Sequence, residues 1–493
     1  MKAEELSDAI GEMDEKYVVL PNGGKNAAGK KNTLIKIIAA AACFALIIAA
    51  VGLILPKPEK KLVDQGENTF DLTAKTPGTS AGWPLIAAAV LPDRAKMPVI
   101  ENYADESAYY DALSEYYQNE APRQVVNTPD GMKLFYKNLI SAALTGEENE
   151  IVAPANLASL LGILSECTDG NSRAQILNAL GFGDIGEVRD FLPAMWDSLY
   201  TDNGVNHCRI ANSLWLSDGI KYKDGLKQIS STYYCDSFSG DMTSPDYSAV
   251  LREWLNEKTD GLLTGLTGDI SFDPRTVLAA ASTVAFSYKW DGEFSETQSR
   301  AGVFHGKNGD SEKTFMHGTT MPAPYAELED CTVCGKFLSE NGGTVWFILP
   351  DEGVSVADVL DSGSFFKVTE NANGYTFPGK VELTVPKFDV AGQSDVSDVL
   401  KKLGITDVFD PSKADFSPVI EKSDMSVFLG EISHGARVEA DERGVKGSAY
   451  SLAMMCGAGL PPEETKTIVL DRPFIFLITS PDGIPLFAGV LAD

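Results

Sequence analysis

The sequence predicts an α+β domain with largely antiparallel sheets, held behind a single membrane-crossing helix. Three observations carry that expectation. Residues 37–55 run for 19 positions without a charge, enough for one helix to cross a bilayer core. Past residue 129, helical patterns gather first and strand patterns later, which argues against a βαβ alternation. No second Pro/Gly-rich break interrupts residues 129–493, so they read as one domain.

In chain order, residues 1–36 form a cytoplasmic head. Its Leu6, Ala9, Ile10 and Met13 fall at helical spacing, and a short amphipathic helix or a solvated head both fit. The acidic stretch Glu4, Glu5, Asp8, Glu12, Asp14, Glu15 is unlike the short basic start of a signal peptide, so 37–55 is expected to stay as an anchor. Secretion after cleavage is the alternative. Lys25, Lys30, Lys31 and Lys36 precede the span while Lys57, Lys60 and Lys61 follow it, a bias that puts the N-terminus inside and the domain outside the cell. Residues 56–128 mix Pro, Gly, Lys and Thr around one Tyr-rich patch, Tyr103 to Tyr117, with no sustained periodicity, and read as an extracellular tether.

Inside the domain, Met132 to Leu144 carries Leu134, Phe135, Leu139 and Ala142/Ala143 at helical spacing. Asn156 to Leu164 and Ser172 to Leu180 read as two more helices, the second opening after cap chemistry at Asp169-Gly170-Asn171. Val277 to Phe286, Thr344 to Leu349, Val381 to Val385, Phe474 to Ile478 and Leu486 to Leu491 are short apolar or β-branched runs bounded by turn residues, hence strands. Pro481-Asp482-Gly483 joins the last two as a tight turn.

Composition narrows function. Against 41 Lys+Arg stand 70 Asp+Glu, a formal charge of −29 that repels phosphate backbones, so nucleic acid is excluded as a partner. Seven cysteines in 493 residues are too scattered for a disulfide framework. Gly78-Thr79-Ser80-Ala81-Gly82 spells a nucleophile elbow, but no strand delivers Ser80 and no helix removes it, so it reads as linker. Cys331-Thr332-Val333-Cys334 lacks a second pair, and on a strand the two thiols would face opposite ways. His207, His305, His317 and His434 are widely separated and form no metal motif. No metal or cofactor is expected from these patterns.

Gly444 to Gly459 is patterned differently, being dominated by small residues. If extended, one face would carry Val445, Gly447, Ala449, Ser451, Ala453 and Met455, small and apolar, and the other Lys446, Ser448, Tyr450, Leu452, Met454 and Cys456. Such alternation suits a strand entering a sheet, although Gly and Ala are poor strand formers and a surface loop fits as well.

Glu442-Arg443-Gly444-Val445-Lys446-Gly447-Ser448-Ala449 is similar to the hinge of the serpin family, and Asp471-Arg472-Pro473-Phe474-Ile475-Phe476-Leu477 to the block that follows it. Asn149 to Pro154, Gly170 to Leu177, Trp254-Leu255-Asn256-Glu257-Lys258-Thr259-Asp260-Gly261, Phe286-Ser287-Tyr288-Lys289-Trp290, Leu349-Pro350-Asp351-Glu352-Gly353, Val385-Pro386-Lys387-Phe388 and Ala414-Asp415-Phe416-Ser417 resemble further family blocks in family order. With its anchor, the chain resembles a bacterial, membrane-anchored member. The resemblance implies three β-sheets with about nine helices and an exposed reactive-centre loop. It also implies a monomer without enzymatic activity of its own that inhibits a serine protease by suicide: the loop is cut, the acyl-enzyme is trapped, and the freed loop inserts as a new strand of the main sheet.

Family spacing from Gly444 places the scissile bond at Ala458-Gly459, and counting back from Pro473 allows Gly459-Leu460, with Met455 or Cys456 as the cleaved residue a minor alternative. A small residue before the cut suits elastase-like or subtilisin-like partners with a shallow S1 pocket. Glu442, Gly444, Val445, Gly447, Ser448, Ala449, Ser451 and Ala453 would form the hinge and inserting strand. Ala153, Asn156, Ser282 and His434 would form the shutter over which the sheet opens, with Ala153, Asn156 and Ser282 departing from the family pattern. Tyr450 is bulky for the loop, but on the outward face its cost is expected to be modest. A non-inhibitory family member, serving as protease substrate or binding module, is the competing expectation.

Overall fold

A computed structural model describes residues 85–119, 123–268, 270–273, 276–320, 323–370, 376–377, 379–421, 426–445 and 464–493. The run 37–55 and Ser80 lie outside them, and no helix among the described residues is long and apolar enough to cross a membrane.

The chain first meets the domain as β1 (Leu85–Ala87) and then forms α1 (Glu106–Asn119). After Pro129 comes α2 (Asp130–Ala143), then β2 (Glu150–Val152), α3 (Pro154–Cys167), α4 (Gly170–Leu180) and α5 (Ile185–Leu199). The middle of the chain alternates: β3 (Thr201–Asp202), β4 (His207–Ser217), α6 (Gly225–Thr232), β5 (Cys235–Gly240), α7 (Pro245–Lys258) and β6 (Leu278–Lys289). Strands then dominate: β7 (Arg300–Gly306), β8 (Gly309–Thr320), β9 (Ala323–Glu327), β10 (Cys331–Leu338) and β11 (Gly343–Pro350). Two short helices, α8 (Val356–Ser362) and α9 (Lys367–Glu370), precede β12 (Thr376–Phe377), β13 (Lys380–Pro386), β14 (Phe388–Asp395) and α10 (Ser397–Lys402). The last strands are β15 (Leu429–Ala440), β16 (Gly444–Val445), β17 (Thr465–Val469), β18 (Phe474–Thr479) and β19 (Pro485–Leu491).

Among the described residues these strands form three sheets. The main sheet runs β1-β5-β4-β6-β16-β15-β14, with β3 on β4; the second runs β12-β9-β10-β11-β18-β19-β2; the third runs β17-β13-β8-β7. Most neighbours are antiparallel, as expected, but β4–β5, β6–β15 and β13–β17 are parallel.

Helix α3 explains how two sheets share one core. Its sequence is largely apolar, broken by Asn156, Ser159, Ser165 and Glu166, and every one of its residues is buried, the behaviour of a helix with no solvent face. It packs against β4 and β6 of the main sheet and β19 of the second. The far face of the main sheet is covered by α7, whose Tyr247, Trp254 and Leu255 close a second core over Trp215 and Phe238. Helix α2 buries Met132, Phe135, Tyr136, Leu139 and Ile140, whereas Leu134, assigned to its apolar face from sequence, is exposed. Gly181 ends α4 at φ +77, and its Cα lies so close to Gly131 of α2 that no Cβ fits at either position.

The tether boundary needs correction. From residue 85 the segment read as tether belongs to the fold: β1 extends the main sheet by pairing with β5. The Met97 N–H donates to Asn203 O at 2.7 Å, Arg94 pairs with Asp197 at 2.7 Å, and Tyr117 donates to Glu340 at 2.7 Å. Periodicity missed α1 because its aromatic residues form no continuous apolar stripe; only Tyr116 is buried. With α1 the described residues hold ten α-helices, one more than the expected nine.

Candidate functional site

The top of the main sheet is wedged open by the chain itself. After β15 the turn Asp441–Arg443 reverses the backbone, and Asp441 Oδ1 accepts the N–H groups of Arg443 at 2.8 Å and Gly444 at 3.2 Å. Gly444 and Val445 then enter between β6 and β15, opposite Lys289 and Tyr288 on one side, with Val445 opposite Ala440 on the other. A Cβ at Gly444 would lie 2.2 Å from Tyr288 O, so the entry point demands glycine. Val445 is 1% exposed.

Three backbone carbonyls of the turn are gripped in sequence. Trp290 Nε1 donates to Asp441 O at 2.8 Å, Phe294 N to Glu442 O at 2.9 Å, and Trp290 N to Arg443 O at 3.0 Å. The buried Glu442 side chain accepts from Ser299 Oγ and pairs with Lys387 Nζ, both at 2.6 Å. Burial pushes its carboxyl up, but Lys387 and Ser299 outweigh burial and hold it below the ordinary value. Lys336 lies over the rings of Phe294 at 4.7 Å and Trp290 at 5.9 Å, its ammonium pushed down to about 8 by burial against the pull of Asp291.

Below the wedge, β6 and β15 close directly on each other as parallel strands, with His434 opposite Ser282. Here three of the four residues predicted for the shutter, Ala153, Ser282 and His434, meet. Ala153, at the N-cap of α3, donates its N–H to His434 Nε2 at 3.0 Å; Asn156 lies in the first turn of α3. Burial pushes the His434 imidazole down to about 4, so it is neutral at pH 7, and since Nε2 accepts, its proton sits on Nδ1. His434 Nδ1, Ser282 Oγ and both amide atoms of Asn156 are buried without a hydrogen-bond partner among the described residues. Across β6, Asn212 stands opposite Ser282 and donates Nδ2 to Ser159 Oγ at 3.1 Å. On the outer face Leu263, in the segment after α7, lies against Gly435, and Arg437 Nη1 donates to Leu262 O at 2.8 Å.

The structure therefore brings Glu442, Gly444 and Val445 together at the wedge, and Ala153, Ser282 and His434 together beneath it. Gly447, Ser448, Ala449, Ser451, Ala453, Ala458 and Gly459 lie outside the described residues. Sequence reasoning missed the parts played by Trp290, Phe294, Ser299 and Lys387. Trp290 and Lys387 lay inside quoted motifs; Asn212 carried no signal. Cys331 and Cys334 start β10 as buried free thiols, in keeping with a strand and not a redox pair.

Comparison with known proteins bears on this geometry. The family model described as serpin (serine protease inhibitor) matches residues 131–493. Serpin-ZX of Arabidopsis thaliana is 25% identical over 390 residues, covering 75% of this chain and 98% of that protein. Plasminogen activator inhibitor 1 of Sus scrofa is 25% identical over 399 residues, covering 78% of this chain and 94% of the other. The crystal structure of a thermophilic serpin, tengpin, in its native state superposes with a TM-score of 0.67 at 25% identity, covering 83% of this chain and 100% of that one.

Proposed function

Because the chain belongs to the serpin family, we propose that it is a suicide inhibitor of elastase-like or subtilisin-like serine endopeptidases. The observation that carries this reading is the buried wedge at Gly444 and Val445, seated above a directly paired β6–β15. A strand continuing from Val445 runs antiparallel to both neighbours, so insertion replaces one parallel contact by two antiparallel ones, the more stable pairing. Stored free energy of this kind is released only when the loop is cut, because an intact loop is tied down at Thr465 by β17 pairing with β13.

In the reaction the protease serine attacks the Ala458 carbonyl, the bond to Gly459 breaks, and the amine leaves with a proton from the protease's own acid. The loop end is then an ester on the protease. Insertion of residues 446 onward carries that ester along the main sheet before water can hydrolyse it. The protease supplies all the covalent chemistry; the chain supplies the substrate bond and the conformational change. We assign residues 37–55 as a membrane anchor and the domain to the outside of the cell, on the uncharged run and the lysine bias.

The test is to incubate the full chain with an elastase and with subtilisin and to run the mixture in SDS. A stable band at the summed mass, with a released C-terminal peptide beginning at Gly459 or Leu460, is expected. Cleavage without a complex would overturn inhibition and leave a protease substrate.

A further inference from the structure

Behind the grip on the turn lies a buried cation. Lys336 sits on β10 opposite Val345 of β11 and is 4% exposed. Its ammonium faces the rings of Phe294 at 4.7 Å and Trp290 at 5.9 Å, and among the described residues it makes no ion pair. The titratable groups that act on it are Asp291, exposed in the segment after β6, and Cys334, two residues back on its own strand. Burial pushes the Cys334 thiol up to about 12, so it carries no charge at neutral pH. Beyond the rings, the Glu442 carboxylate is taken by Lys387 and Ser299.

The two rings that cover Lys336 belong to the residues that hold the turn. Trp290 donates Nε1 to Asp441 O and its backbone N–H to Arg443 O, and Phe294 donates its backbone N–H to Glu442 O. The rings meet edge to face, with centroids 5.7 Å apart, and both are buried. Moving these residues off the turn admits water to the ammonium. Ring faces return only part of the hydration energy that a buried ammonium gives up, whereas a water shell returns it in full. A charged Lys336 therefore favours the open grip, and an apolar side chain in its place favours the closed one.

We propose that Lys336 is a positioning residue of the hinge: its buried ammonium, covered by the rings of Trp290 and Phe294, keeps their grip on the turn Asp441–Arg443 poised to open. The opening is a property of the uncut chain, and only its consequence for protease trapping rests on the insertion reading above. Titration gives the device a direction. Under the rings the ammonium keeps its proton only to about pH 8, against 10.5 when hydrated, so the open grip binds more protons than the closed one. Below pH 8 the group is charged in both states and favours opening in full. Between 8 and 10.5 the closed grip holds a neutral amine, and the preference for opening falls by up to about 300-fold. Alkali therefore locks the turn.

The test follows hydrogen–deuterium exchange of the Asp441 and Gly444 amides, which donate to Gly444 O and Asp441 Oδ1. It uses the uncut full chain from pH 7 to 10, each rate divided by the intrinsic rate at that pH, for wild type, Lys336→Met and Lys336→Arg. Wild type should open less often as the pH rises past the titration of Lys336. Lys336→Met, apolar and close in volume, should open up to about 300-fold less often at pH 7 and show no step with pH. Lys336→Arg, charged throughout, should open as often at pH 10 as at pH 7; should the larger guanidinium unfold the chain, Lys336→Met decides by itself. Equal or faster exchange in Lys336→Met at pH 7 would mean that the cation holds the rings instead of loosening them, and would overturn the proposal, as would a pH step that survives in that variant. Nicking the loop with papain reads the consequence, and Lys336→Met should then insert more slowly than wild type. If nicked wild type gains no heat stability, the insertion reading falls, while the exchange rates still decide the role of Lys336.

Discussion

Replacing Val445 with Arg should convert the inhibitor into a substrate. Val445 is 1% exposed, and its burial contributes about 1.5 kcal/mol. A guanidinium in that position would replace a buried apolar side chain between Tyr288 and Ala440, and desolvating it costs several kcal/mol. With Val445→Arg the hinge leaves the wedge in the uncut chain, so insertion must first re-bury the guanidinium, and a penalty of about 4 kcal/mol on that step slows it about a thousandfold. Hydrolysis of the ester belongs to the protease and keeps its rate, so the partition between trapping and release shifts by the same factor. The uncut fold should survive, because β6 and β15 pair below the wedge from Leu429 to Gly435 without the hinge. The assay is the number of inhibitor molecules consumed for each protease silenced, together with the SDS-stable band. A consumption number within twofold of wild type would refute the insertion mechanism.

Two further outcomes follow from the site. Glu442→Gln leaves Lys387 without its charge partner and weakens the grip on the turn; with Lys387 part-exposed, a loss of about 1–3 kcal/mol should lower the thermal midpoint of the uncut chain by a few degrees, and an unchanged midpoint would show the pair to be idle. The second concerns acid. His434 is held near 4 in the fold against 6.5 in the unfolded chain, so the unfolded chain binds the extra proton. Stability from this group is present in full above pH 6.5 and is lost as pH falls from 6.5 toward 4, by roughly 3 kcal/mol at the lower end. Urea unfolding over that interval should show a slope that His434→Gln flattens; an equal slope in both would remove His434 as its source.

Much of the fold is legible in sequence because its signals are local. The helices read at Asn156–Leu164 and Ser172–Leu180 extend to 154–167 and 170–180, and the strands read at Val381–Val385 and Phe474–Ile478 extend by at most one residue at either end. Periodicity reports what a segment does to itself. It failed for α1, a helix whose aromatic residues are mostly exposed, and for Leu85–Ala87, a three-residue strand defined only by its partner β5.

The candidate site divides along the same line. Sequence by itself determined the order of the elements, the small-residue alternation after Gly444, and the family motifs that placed Glu442, Val445 and His434 among the residues of interest. Only the tertiary structure decided that Val445 is already inside the sheet, that Trp290, Phe294 and Lys387 from distant segments hold the turn, and that Ser282, His434 and Asn156 are each buried with polar atoms lacking a partner among the described residues. A strand's alternation is written in consecutive residues, whereas a register between strands more than 150 positions apart, such as Ser282 and His434, depends on how the whole core packs.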